Sequence, residues 1–402
     1  EALERRRRAL GEEHPDTLIS MSNLGVLLRM QGKLDEAERY TREALEKRRR
    51  ALGEEHPDTL LSINNLGVLL RMQGKPDEAG TYTREALEKY RRVLGEEHPR
   101  TLNAIGNMGV QLWEQGKPAE AEPYYREALE KRRRVLGEDH PSTLASLSNM
   151  GFFLDSQGRF AEAEPYYREA LARSRRVLGE EHPSTLAFLS NLGSLFRLQG
   201  RFGEAEPYFR EALATSRRVL GEEHPDTLLS LNDLGVLREA QGRFAEAEPY
   251  FREALEKSRR VRGEQHPSTL VVTDNLARAL QQQGKHREAI DLLVPAEPAA
   301  RKAYTGANAR RLGGLLTTLG RARVGQGYDP ARFEAAEANL LEAHPILVKA
   351  RGETHKDTLE CVQGLAALYA AWEKAEPGKG YGAKAGEWKA KLDSAPARTG
   401  KS

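Results

Sequence analysis

The sequence predicts an all-α solenoid of stacked antiparallel helix pairs, on three observations. First, His14-Pro15 returns as His56-Pro57, His98-Pro99, His140-Pro141, His182-Pro183, His224-Pro225 and His266-Pro267, a constant step of 42 residues. A fixed period in the range of about 20–50 residues marks a repeat architecture. Second, apolar residues inside each period follow the 3.6-residue spacing of a helix. Third, a Gln-Gly-Lys or Gln-Gly-Arg turn divides each period into two helices.

The hinge comes first in each unit. Gly11 follows an Arg-rich helical run and suits the left-handed position just beyond a helix. Pro15, with fixed φ and no N–H, fits the first position of the next helix, His14 is its N-cap, and Asp16 complements the helix dipole. The first helix then runs roughly over 15–31, with Leu18, Met21, Leu24 and Leu28 on one face. Gly25 shares that face and lets a neighbouring helix come close. The turn Gln31-Gly32-Lys33 leads to a second helix, roughly 34–52, with Leu34, Ala37, Thr41, Ala44 and Leu45 inward.

The following units repeat this plan. Pro123, Pro165, Pro207 and Pro249 fall early in second helices and predict a local bend without a break. In the unit from His266, Pro295 and Pro298 predict an interrupted second helix. The next unit replaces the His-Pro hinge by Thr305-Gly306-Ala307-Asn308 and carries an insertion at 328–332. The last opens at Thr354-His355 and has a loose turn over 376–380. The expected organisation is a partial repeat at 1–13, seven repeats over 14–303, two degenerate repeats or a cap over 304–393, and a disordered tail at 394–402. The start inside a unit predicts a piece of a longer protein.

Composition narrows the chemistry. Lys plus Arg is 62 and Asp plus Glu is 60, without the basic excess of a dedicated nucleic-acid binder. A single cysteine, Cys361, excludes an internal disulfide framework and fits the cytoplasm. No apolar run approaches the ~18 residues of a membrane span. The expectation is therefore a monomer with neither nucleic acid nor membrane as partner. The periodic histidines sit one helix pair apart, too far to share a metal ion, and read as caps. The arginine clusters at 5–8, 48–50 and 132–134 lie in last helical turns with acidic residues close behind, and read as a solvated, self-neutralised edge. Thr399-Gly400-Lys401-Ser402 resembles the end of a phosphate-binding loop, but Ala395 stands where that motif needs Gly. Cys361 has no evident His or Asp partner, and no catalytic constellation, cofactor site or metal site is expected.

Leu24-Gly25, Leu28, Gly32, Leu34, Ala37 and Ala44-Leu45 resemble the tetratricopeptide signature in residue type and spacing. The 42-residue form with a Leu-Gly-Glu-Glu-His-Pro hinge resembles the repeats of kinesin light chain and its bacterial relatives. The resemblance is strong to about residue 300 and weak beyond. It implies a right-handed superhelix whose first helices line a concave groove for an extended peptide, and in this subfamily an acidic, tryptophan-containing one.

A candidate binding surface stands beside that resemblance. Asn23, Asn65, Asn107, Asn149, Asn191, Asp233 and Asn275 form a ladder just before each Leu-Gly or its equivalent. On a helical wheel Asn23 points roughly 200° away from the core direction of its own helix. Two further rows vary between units: one contains Phe152, and the other contains Arg29, Arg71, Trp113 and Arg197. Asparagine both donates and accepts, so a row of them can pair with a peptide backbone, as comparable rows do in tetratricopeptide proteins. The same side chains could instead bond the next helix and keep the stack in register. The function expected is a non-catalytic scaffold for an extended, acidic and aromatic protein segment. The competing expectation is a recognition module of a larger signalling enzyme, such as a kinase or regulator, whose catalytic domain precedes this stretch.

Overall fold

The computed structural model describes residues 2–394. The expected tail beyond Ser394, with the loop-like Thr399–Ser402, lies outside the described residues. Every regular element among those described is helical. By their internal packing they form two compact units, residues 1–177 and 178–402.

The first unit holds α1 (Ala2–Leu10), α2 (Pro15–Met30), α3 (Leu34–Leu52), α4 (Pro57–Met72), α5 (Pro76–Leu94), α6 (Pro99–Glu114), α7 (Pro118–Leu136), α8 (Pro141–Ser156) and most of α9 (Phe160–Leu178). Even-numbered helices are the first of each pair and odd-numbered ones the second, and each packs against its neighbours in sequence, as α4 does on α3 and α5. The hinges follow the predicted chemistry. Gly53 holds φ 88°, a left-handed conformation that costs little without a Cβ. His56 caps α4 by accepting the Asp58 N–H on Nδ1 at 3.2 Å, with Pro57 at the first helical position. A part the sequence reading did not assign is threonine. The hydroxyls of Thr17, Thr101 and Thr143 donate to the carbonyls of Gly11, Gly95 and Gly137 at 2.7–2.8 Å, tying each new helix to the end of the last.

The close approach expected at the Leu-Gly glycines has a definite partner. A Cβ on Gly67 would lie 2.8 Å from the Thr83 hydroxyl, and one on Gly151 would lie 2.9 Å from the Tyr167 ring. The second helix of each pair thus lays a side chain on the glycine of the first. Pro123 and Pro165 sit within α7 and α9 without ending them.

One expectation needs correction here. Arg48 and Arg132 are buried and do not belong to a solvated edge. Arg48 donates to the Ser62 hydroxyl at 2.6 Å and to the Asp58 carbonyl at 3.2 Å, and Arg132 reaches Ser146 and Asn103. These side chains fall on the helix face that meets the next first helix, where hydroxyls and carbonyls take the place of water. Burial lowers the pKa of both guanidiniums. The neighbouring cations do stay outside and pair across successive second helices: Arg49 with Glu85, Arg91 with Glu127, and Arg133 with Glu169, at 2.8–2.9 Å.

The second unit holds α10 (Pro183–Leu198), α11 (Phe202–Leu220), α12 (Pro225–Ala240), α13 (Phe244–Arg262), α14 (Pro267–Gln282), α15 (His286–Ala303), a short 3₁₀ turn (Gly306–Asn308), α16 (Ala309–Gly325), α17 (Pro330–Arg351), α18 (Lys356–Ala375) and α19 (Tyr381–Asp393). Contrary to the expected interruption, α15 runs unbroken through Pro295 and Pro298. Each proline removes only its own N–H from the ladder. Buried Ala289, Leu293 and Ala300, with α14 and α16 against the helix, hold it across both. The insertion at 328–332 starts α17: Asp329 accepts the Arg332 N–H at 2.8 Å, and Pro330 takes the first helical position. Cys361 is buried on α18, its thiol donating to the Leu340 carbonyl at 3.3 Å, and burial pushes its pKa up to about 11. No residue of α19 is buried. It covers the end of the stack through Tyr381, whose ring stacks on Trp372 with centroids 4.4 Å apart.

Candidate binding face

The ladder positions lie on first helices, next to the side chains that each first helix offers its neighbours in the stack. In the first unit, Asn23 and Asn149 are exposed while Asn65 and Asn107 are half-buried. Asn107 has a partner: its Nδ2 donates to Asn64 Oδ1 on the preceding first helix at 2.9 Å. At this position the side chain holds two helices in register. The row that begins at Arg29 is also partly occupied. Arg71 pairs with Glu114 at 3.0 Å, so its charge is compensated inside the protein.

Aromatic residues stand out on this face. Phe152 is 49% exposed although it lies mid-helix between buried Gly151 and Phe153. Trp113, one first helix earlier, meets it edge to face with ring centroids 5.3 Å apart. In such a pair the edge of one ring covers a face of the other, and Phe152 still leaves half its surface open to a further ring or apolar side chain. Asn149 lies three residues before Phe152, one helical turn along, and is exposed. The first unit therefore offers an apolar platform, a free-standing amide and, at Arg29, a half-buried cation.

In the second unit, Asn191 and Arg197 are half-buried on α10. Asp233 replaces asparagine on α12. Burial pushes its carboxyl up to about 7, against the opposing pull of Arg197 and a hydrogen bond with Ser190. Asn275 is buried, donates to Asn232 at 2.7 Å and accepts from Arg278 at 2.8 Å. It lines a cavity of about 160 Å³ between α14, α16 and α18.

The structure thus spreads the predicted residues along two series of first helices, and brings together only some of them: Trp113 with Phe152, and Asp233 with Arg197. The sequence reading missed Asn64 and Asn232, which bond Asn107 and Asn275. The doublets Asn64-Asn65 and Asn232-Asp233 were the available signal, because the first member of each faces the next unit. Among the described residues no cluster of His, Cys, Asp or Glu is disposed to hold a metal ion, and no helix is long and apolar enough to cross a membrane. Each hinge histidine instead uses Nδ1 to accept a backbone N–H, as His98 does from Arg100 at 3.1 Å.

A family model described as a tetratricopeptide repeat matches residues 60–134, 100–173, 142–217, 185–257 and 231–302, and a second of the same description matches 1–16 and 17–58. No curated protein matches the sequence. Among solved structures, nearly identical repeats of a Podosopora anserina protein assigned as a kinesin light chain share 25% identity, covering 51% of this chain and 98% of theirs, with a TM-score of 0.45. BtubC (BKLC) from P. vanneervenii shares 24% identity over 56% of this chain and 91% of its own, with a TM-score of 0.49. A Rap protein complexed with Competence and Sporulation Factor is 16% identical, covers 94% of this chain and 99% of its own, and gives a TM-score of 0.54. That last likeness is one of fold.

Proposed function

This chain belongs to the tetratricopeptide repeat family, and we propose that it is a non-catalytic scaffold that holds an extended peptide along its first helices. The ligand we infer carries at least one bulky apolar or aromatic side chain together with acidic residues. The Trp113–Phe152 pair carries this reading. Leaving a phenylalanine half in water forgoes about 1–3 kcal/mol of burial, and large exposed aromatics concentrate at interaction sites. Asn149 beside it supplies an amide NH₂ to donate and a carbonyl oxygen to accept, enough to pair with a peptide unit. Further along the same helix row, Arg29 offers charge to an acidic side chain. The Rap protein of similar fold is itself complexed with a factor, so a helical stack of this kind can seat a second molecule. Selection from a peptide display library on the whole chain, repeated with Phe152→Ala, tests the reading. The expected result is enrichment of peptides with an aromatic or large apolar residue, and a loss of about tenfold or more in their affinity for the variant at unchanged melting temperature. Enrichment that ignores Phe152 would contradict it.

A further inference from the structure

The outer face of α15 departs from the pattern of the other second helices. Buried Ala289, Leu293 and Ala300 turn one side of α15 toward the stack. At 100° per residue, Asp291, Val294, Pro295, Pro298 and Lys302 lie together on the opposite side, within an arc of about 100°. All five are exposed, Val294 to 43%. One repeat earlier, Arg252 and Glu253 stand at the positions of Val294 and Pro295. Arg252 pairs with Glu248 and Glu288, and Glu253 with Lys257 and Arg217. Each second helix from α3 to α13 has the same Arg-Glu doublet. In α15 valine and proline replace it, so the middle of the face carries no charge. Pro295 and Pro298 also have no N–H, which leaves the carbonyls of Asp291 and Val294 without their usual helical donors. Apolar side chains in water and carbonyls without helical donors are both relieved by a covering surface.

We propose that α15 pairs with α15 of a second copy of this chain, the two helices running antiparallel about a two-fold axis midway between Pro295 and Pro298. This replaces the monomer expected from composition. It does not depend on the peptide-scaffold reading, because the face belongs to a second helix and points away from α14 and α16, which hold its buried side. Charge selects the occupant. Asp291 and Lys302 flank the apolar stripe on one face, about three turns or 16 Å apart. In the antiparallel pair Asp291 of one copy comes opposite Lys302 of the other, and symmetry repeats the match at the far end. Val294, Pro295 and Pro298 close the centre, and the Asp291 carbonyl adds an acceptor beside each Lys302. A parallel pair instead sets Asp291 on Asp291 and Lys302 on Lys302. The other cations on this side do not oppose the contact. Arg287 lies 3.9 Å from Asp291 and is 85% exposed, a surface pair of little strength. Arg301 is engaged by Glu297 and Glu342.

The test is sedimentation velocity on the whole chain at concentrations from about 1 to 100 µM. The expected result is a monomer–dimer equilibrium within that range. Val294→Arg, which returns the residue of the earlier second helices, should weaken the dimer by about tenfold or more at unchanged melting temperature. Asp291→Lys alone and Lys302→Asp alone each set like charges opposite one another at both ends, and each should abolish self-association. An equimolar mixture of these two single variants sets opposite charges together again, and should form the heterodimer. Both changes within one chain should restore the homodimer. A merely structural role for the stripe predicts neither rescue, and the mixture keeps the test decisive if Val294→Arg does not fold. A chain that stays monomeric throughout the range overturns the proposal. So does a dimer that survives Val294→Arg and both charge reversals, because its contact lies on another face. Liposome binding by a monomeric chain that Val294→Arg abolishes also overturns it, by assigning the stripe to a membrane surface.

Discussion

Asn107 and Asn149 occupy the same position one repeat apart, yet their surroundings differ. Asn107 bonds Asn64 on the preceding helix, whereas Asn149 stands exposed beside Phe152. Asn107→Ala should therefore lower stability by about 0.5–1.5 kcal/mol, the net worth of a hydrogen bond. Asn149→Ala should shift stability by less than about 0.5 kcal/mol and weaken peptide binding instead. Urea unfolding and peptide titration of the two variants check both halves. Asp233 at the equivalent position gives a pH signature. Its folded pKa of about 7 lies above the ~3.9 of an unfolded aspartate, so between those values the folded state binds the extra proton. Its contribution to stability is greatest below about pH 4 and falls as pH rises to about 7. Asp233→Asn should raise the melting temperature relative to wild type at pH 8 and leave it nearly unchanged at pH 4. An equal effect at both values would contradict the burial of this carboxyl. The wheel direction of the ladder could be read from residue spacing. Which members find a partner could not, because that depends on the distance to the next helix.

At the scale of helices, the glycines set how closely each pair packs. A Cβ on Gly235 would lie 2.5 Å from the Phe251 ring, while one on Gly106 would meet nothing within 4 Å. Gly235→Ala should cost about 1–3 kcal/mol through overpacking. Gly106→Ala should gain about 0.5–1 kcal/mol from helix propensity alone. Thermal unfolding of both variants decides the matter, and a stabilising Gly235→Ala would show that the ring moves aside. The boundaries of these helices were legible because each is punctuated by Gly, His and Pro of fixed roles. The inward turn of Arg48 and Arg132 was not, since a charged run in a last helical turn looks solvated until the neighbouring hydroxyls of Ser62 and Ser146 are placed. The unbroken α15 escaped for a related reason: proline reports a local cost, and packing on both sides outweighs it.

Across the molecule, ion pairs between second helices repeat with the sequence period, and their titration should govern acid stability in both units. Against the upward push of burial, hydrogen bonds from Lys75, Arg42 and Gln73 hold Glu38 down at about 2. Those from Lys285, Arg252 and Gln283 do the same for Glu248, likewise against burial. For groups lowered in this way, stability is fully present above the unfolded value of about 4.3 and is lost as pH falls towards 2. Glu38→Gln with Glu248→Gln should flatten the fall in melting temperature across that window, and an unchanged slope would contradict the pairing. Most of the helical stack was readable because one hinge chemistry recurs, even at His355 where Pro is replaced by Lys356. The cavity of α14, α16 and α18 was not readable, because its lining residues Arg310 and Arg311 fall in the repeat whose His-Pro hinge is replaced by Thr305-Gly306-Ala307-Asn308. The central claim is that ligand binds on the first helices, and photo-crosslinking tests it most directly. A display-selected peptide with benzophenone in place of its aromatic residue, irradiated on the whole chain, should mark α6 and α8 around Trp113, Asn149 and Phe152. Labelling confined to the ion-paired second helices, α5, α7 and α9, would contradict the account.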